Sequence, residues 1–310
     1  MSVRDLGPLG DAEAPNLLRD GGSSVPIAGH ILWAFGDTIF PFLAADGTHL
    51  RSNSAALAPP AAPLSLSEPL DPNGAPFQFV PFTPDEAAFN ASSSDERIAL
   101  WPTTMVPWKD GSALVIIDRL KVHPGVLDYE ELSTELGVVT GASTTASRLG
   151  ALFRAPEPSF VHGAVAKDGF LYLYACTPNA LCRVARAPEG QATERAAYEF
   201  FAGADWSPDL ETAVATVPGS TAGFSVAWSE SLGRFLAAST PGFASFVEFR
   251  TAPAPEGPWS LPSVAFGTAS PIYAVYLHPE LSSDSTVVVS YSRQTGNWSG
   301  EIRLVEVEVR

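Results

Sequence analysis

Short runs of consecutive apolar residues, closed off by turn residues, set the rhythm of this chain, and no helical stripe is sustained along it. The first pair of runs is SSVPIAG–HILWAFGDTIF, followed by SNSAALA. Later come ALWPTTMVPWKDG–SALVIIDRLKV, SFVHGAVAKDG–FLYLYACT with CRVARAP, and FSVAWSESLG–RFLAAST with FVEFRTAP. The last is PIYAVYLHPELSSD–STVVVSYSRQ with EIRLVEVEV. Each reads as an apolar hairpin, often with a more polar third strand. The segment Asp128–Ala146 begins with helix formers, but its β-branched and small residues break any 3.6-residue period. The Pro-rich stretch Ala61–Phe89 reads as a long excursion between repeats.

Nothing alternates strand with helix, so a doubly wound fold or an α/β barrel is disfavoured. A hairpin plus outer strand recurring at intervals of roughly fifty to eighty residues favours radial blades over a sandwich. The expected fold is all-β, a five-bladed β-propeller, with residues 17–310 as one domain and residues 1–16 as an N-terminal extension.

Antiparallel pairing then selects candidate site residues. The start of a blade's first strand and the end of its second lie at the same end of the sheet. In the first blade this marks Asp20 and Asp37, with Asn53 entering the third strand. In the second it marks Trp101 and Asp118, and the neighbouring Arg119 points to the opposite face of its strand. His162, Ser225, Tyr273 and Arg293 follow in the remaining blades. Carboxylates that grip hydroxyls and aromatic rings that cover apolar sugar faces are the chemistry of a saccharide site. Two carboxylates at one place are the minimal apparatus of glycoside hydrolysis. Each residue also has a plainer reading: Asp20 before Gly21-Gly22 suits a turn, Trp101 and Tyr273 suit a core, and the aspartates could be ion-paired to Arg51 or Arg119.

Charge narrows the partners. With 18 basic against 34 acidic residues the chain carries −16, which repels phosphate backbones and anionic headgroups. Nucleic acid is therefore not an expected partner, and no apolar run approaches the ~18 residues of a membrane span. A neutral polysaccharide or oligosaccharide fits, bound by a monomer. His30, His49, His123, His162 and His278 are scattered singly, so no metal and no cofactor is expected. The opening MSVRDLGPLG has neither the basic start nor the apolar stretch of a secretory signal. Cys176 and Cys182 nevertheless flank TPNAL at a hairpin mouth, which suits a disulfide in an oxidising compartment, secreted or periplasmic; two buried free thiols are the alternative. The Asn-x-Ser sequons at Asn90 and Asn297 are short enough to occur by chance.

DGGSS followed by LWAFGDT and SNSAAL resembles the first blade of five-bladed propellers long catalogued as a domain of unknown function, some members of which are endo-D-arabinanases. LYLYACTPNALCRVARAP, FRTAPAPEGPWSLP and YAVYLHPEL agree, so the resemblance runs from about Leu17 onward. It implies cleavage of a furanosidic polysaccharide, with Asp20 and Asp37 as acid/base or nucleophile. The chain departs at Phe224, where related propeller glycosidases often carry an acidic or amide residue, and at His162, where no third carboxylate stands. A non-catalytic glycan- or protein-binding module is the competing expectation.

Overall fold

The computed structural model describes residues 2–11, 17–93, 95–125, 127–178, 181–296 and 299–309; Asn297 lies outside them. Five sheets form the blades of a five-bladed β-propeller. The chain divides into two compact units, one of Met1–Gly10, Asp20–Ser23 and Phe160–Arg310, the other of Asp11–Arg19 and Ser24–Ser159.

Blades one and two belong mostly to the second of these units. In blade one, Leu18–Ile27 and His30–Ile39 are hydrogen-bonded neighbours, and Ser54–Ala58 pairs with His30–Ile39. The connecting Ala28-Gly29 takes positive φ at both positions (46° and 78°), the turn whose twist matches a tight hairpin. Blade two orders Arg97–Pro107, Ala113–Val122, Tyr129–Val139 and Ser147–Arg154. Val25, Leu32 and Ala34 of blade one pack with Leu100, Val115 and Ile117 of blade two. Buried on both faces, a blade's middle strands read as nearly unbroken apolar runs, as in Ile31–Phe35 and Ala113–Ile117.

The other unit holds blades three to five. Blade three begins with Gly163–Lys167 and Phe170–Cys176, joined at Asp168-Gly169, again with positive φ at both residues (53° and 81°). Blade four orders Phe224–Ser229, Arg234–Ser239, Phe246–Ala252 and Ser263–Gly267. Blade five runs Tyr273–Leu277, Thr286–Gly296 and Ser299–Glu308. Its outermost strand is Val3–Pro8, antiparallel to Ser299–Glu308 with Val3 opposite Val307. Part of the stretch read from sequence as an extension thus serves as a blade strand.

Two local differences have physical reasons. Within the Pro-rich excursion, Pro84–Ser92 forms an α-helix started by a capping box: Thr83 receives the Glu86 amide, and the Glu86 side chain receives the Thr83 amide. Tyr129–Val139 is a strand despite its glutamates, because its apolar and small residues fill the face beside Ala113–Val122.

Cys176 and Cys182 form a disulfide across the mouth of the hairpin between Phe170–Cys176 and Leu181–Pro188, where they are opposed in register. Closing so short a loop contributes about 2 kcal/mol. Replacing both cysteines by serine is expected to lower the denaturation midpoint accordingly without changing the far-ultraviolet circular dichroism.

Candidate functional site

Asp37, near the end of His30–Ile39, is held from two sides. Arg97 forms an ion pair with its Oδ2, and the indole nitrogen of Trp101 donates to Oδ1 at 3.0 Å. Burial raises its carboxyl above the ordinary aspartate range, against the opposing pull of Arg97 and Trp101. Arg51 and Arg119 take other partners: Arg51 pairs with Asp46 and Asp71, and Arg119 with Glu86 and Glu135.

Trp101 links Asp37 to a second acidic group, because Trp101 and Asp118 are opposed in the register of blade two and so share one face. Asp118 is buried, with Ser159 Oγ at 3.5 Å. Burial first, and then the charge of Glu131, push its carboxyl well above the usual range. Glu131 opposes Leu120, two positions along the strand from Asp118, and is itself raised by burial although its side chain lies at the exposed edge. Tyr129 meets Trp101 edge to face, with ring centroids 5.6 Å apart. Blade two thus sets two coupled carboxyls beside an aromatic pair. Sequence reasoning selected Asp118 and Trp101 but missed Glu131 and Tyr129, which lie in the stretch whose helix formers obscured the strand.

A buried carboxyl whose pKa is raised on folding favours the native state below its unfolded pKa and loses that contribution as pH rises through the folded value. Asp118→Asn is therefore expected to raise the melting temperature more at pH 8 than at pH 5. An equal change at both values would show that Asp118 is ionised in the native protein throughout.

The other unit holds Asp20. The Tyr273 hydroxyl donates to Asp20 Oδ1, and the exposed Phe243 ring lies 6.2 Å from that of Tyr273, centroid to centroid. Burial and the Asp20 charge hold the Tyr273 hydroxyl far above its ordinary pKa, and they act likewise on Tyr276. Both tyrosines are therefore neutral donors at physiological pH.

The remaining sequence candidates have structural partners. Asn53 is fully buried; its amide donates to the Leu100 carbonyl at 2.7 Å and its Oδ1 accepts from the Val80 amide at 2.7 Å. His162 Nδ1 accepts from the Cys176 amide at 3.2 Å. Ser225 Oγ accepts from the Leu277 amide at 3.1 Å, tying blade four to blade five. Arg293 pairs with Glu301, its cross-strand neighbour, at 2.6 Å. Phe224 is buried with its ring 5.5 Å from that of Tyr174, and Gly219 packs between it and the disulfide sulfurs. A carboxylate at that position would stand in an apolar layer, which accounts for the absence of one.

Among the described residues, no three metal-ligating side chains converge and no helix is long and apolar enough to cross a membrane.

A family model described as Domain of unknown function (DUF4185) matches residues 138–298, just over half of the chain. No curated protein sequence matches significantly. Among solved structures, a Bacteroides ovatus protein of inferred hydrolase function superposes with a TM-score of 0.67 at 16% identity, covering 97% of this chain and 87% of that one. A family 117 glycoside hydrolase from the marine bacterium Zobellia galactanivorans gives 0.61 at 10% identity, over 99% and 90%. The native arabinanase of Bacillus subtilis gives 0.55 at 8% identity, over 94% of each. At such identities the likeness is one of fold.

Proposed function

The chain belongs to the DUF4185 family, described only as a domain of unknown function, and from that premise we propose that it is a glycoside hydrolase cutting a neutral furanosidic polysaccharide such as arabinan. The observation that carries the proposal is Asp37, a carboxyl oriented from both oxygens and raised by burial. A carboxyl fixed in direction and shifted by its surroundings is what acid/base or nucleophilic work at a glycosidic bond requires. In this reading Asp37 is one member of the acid/base and nucleophile pair. Asp20, which accepts the Tyr273 hydroxyl, is the other member of the pair. Trp101 and Tyr129 supply ring faces for the sugars, and the exposed Glu131 accepts their hydroxyls.

The net charge of −16 supports a neutral substrate, and the glycan-cleaving enzymes among the structural neighbours support the reaction class. The disulfide supports action outside the reducing cytosol. A panel of arabinan, galactan and a uronate-rich polysaccharide, assayed for new reducing ends, tests the assignment. Cleavage of arabinan is expected, with galactan and the uronate left intact; cleavage of none, or of galactan or the uronate alone, would overturn it.

One observation favours a second reading. Both oxygens of Asp37 are already occupied, as they are in a carboxylate that only joins strands. A non-catalytic glycan-binding propeller would then retain the oligosaccharide without releasing product.

A further inference from the structure

We propose that the outer end of the cleft between blades four and five is a second binding site, for a small amphipathic carboxylate. Register places Arg234, Leu236, Phe249, Thr251 and Ser263 on one face of blade four. Leu236 opposes Thr251, Phe249 opposes Ser263, and Arg234 lies two residues before Leu236. Leu236 and Phe249 are buried in the core that this face shares with Val287, Val305 and Val307 of blade five. Beyond them blade five ends at Glu308 and Val309, the packed layer stops, and a pocket of about 670 Å³ opens. That volume falls within the range of small-molecule sites.

The chemistry of the walls is divided. Leu232, Leu236, Phe249 and Val309 make an apolar floor, while Arg234 and Arg250 line the pocket with cationic groups. Arg250 is committed to the fold: it pairs with Glu248 at 3.2 Å and donates to the Ser260 carbonyl at 3.1 Å. Arg234 is exposed, and its guanidinium meets no carboxylate among the described residues. In a chain with 34 acidic and 18 basic residues, an arginine left without an acid beside an apolar pocket is suited to an anion from outside. Glu308 also lines the pocket, and its charge selects against dianions, leaving a single carboxylate on an apolar body.

The pocket is separate from the Asp20 group. Tyr273 opposes Ser292 at one end of blade five, whereas Glu308 opposes Thr286 at the other. The inner strand alone, Tyr273–Leu277, spans about 13 Å of the interval. Occupancy of this site therefore does not depend on the glycan reading.

Calorimetric titration of the full chain with 3-phenylpropanoate, its neutral amide and propanoate tests the proposal. Saturable one-site binding of 3-phenylpropanoate is expected, with the amide and propanoate at least about tenfold weaker. Arg234→Gln is expected to weaken 3-phenylpropanoate by a similar factor with an unchanged melting temperature, while Arg154→Gln, at another exposed arginine, leaves it intact. Absence of saturable binding, equal affinity for acid and amide, or indifference to Arg234→Gln would overturn the assignment.

Discussion

Asp37→Asn is expected to lower kcat/KM for glycan cleavage by at least about a hundredfold while the protein stays folded. The asparagine amide is close in shape to the carboxyl, so Arg97 and Trp101 keep neutral hydrogen bonds in place of an ion pair and a charge-assisted bond. That exchange costs about 1–2 kcal/mol, or a few degrees in melting temperature. What asparagine cannot do is serve as acid, base or nucleophile. Asp37→Ala adds a structural penalty, because it leaves the Arg97 cation without its counterion. The two variants separate the roles of this residue. Equal activity in wild type and Asp37→Asn, with a melting loss only in Asp37→Ala, would reduce Asp37 to a strand fastener.

The largest expected effect on stability comes from Glu86. Its Oε1 accepts from Arg119 at 2.6 Å and from Arg148 at 3.2 Å, and its Oε2 from Arg148 at 2.5 Å and the Thr83 amide at 2.9 Å. Burial pushes this carboxyl upward, but the hydrogen bonds from Arg148, Arg119 and Thr83 outweigh it and bring the pKa down to about 2. A depressed carboxylate stabilises the native state above its unfolded pKa, near 4.5, and the contribution is lost as pH falls through about 2. The shift corresponds to about 3 kcal/mol. Glu86→Gln should therefore lose about that much in urea unfolding at pH 7, and its deficit against wild type should shrink steadily below pH 4. A deficit independent of pH would mean that helix capping, not charge, carries the effect.

The blades were legible in the sequence because strands buried on both faces cannot hide their apolar runs. HILWAF, ALVII and VVVSY announce themselves, and KDG-F carries its turn chemistry in two residues. Val3–Pro8 was not legible. VRDLGP has no alternation, and its place is settled by pairing with a strand at the far end of the chain. The helix Pro84–Ser92 is signalled by the spacing of Thr83 and Glu86, a cue submerged among prolines.

At the candidate site, strand polarity brought the right neighbourhoods into view: Trp101 with Asp37, and Tyr273 with Asp20. Polarity says at which end of a strand a residue stands, not which groups will meet its side chain. Asn53 stands where expected, yet its amide is spent on the main chain of Val80 and Leu100. Arg97 and Glu131 escaped notice because the edges of their strands were not legible. Arg97 opens the first strand of blade two, four residues before the Trp101 taken as its entry. Glu131 stands in a stretch whose helix formers obscured the strand, and each of the two matters through a partner on another strand.

Under the proposed function, this propeller cleaves a glycan through Asp20 and Asp37. The most direct measurement is the initial rate of reducing-end release from arabinan by wild type, Asp20→Asn and Asp37→Asn, under conditions where all three give the same circular dichroism spectrum. Turnover by wild type and a loss of at least about a hundredfold in each variant are expected. Undiminished release by both variants would contradict the proposal, and so would a wild type that binds arabinan and releases nothing.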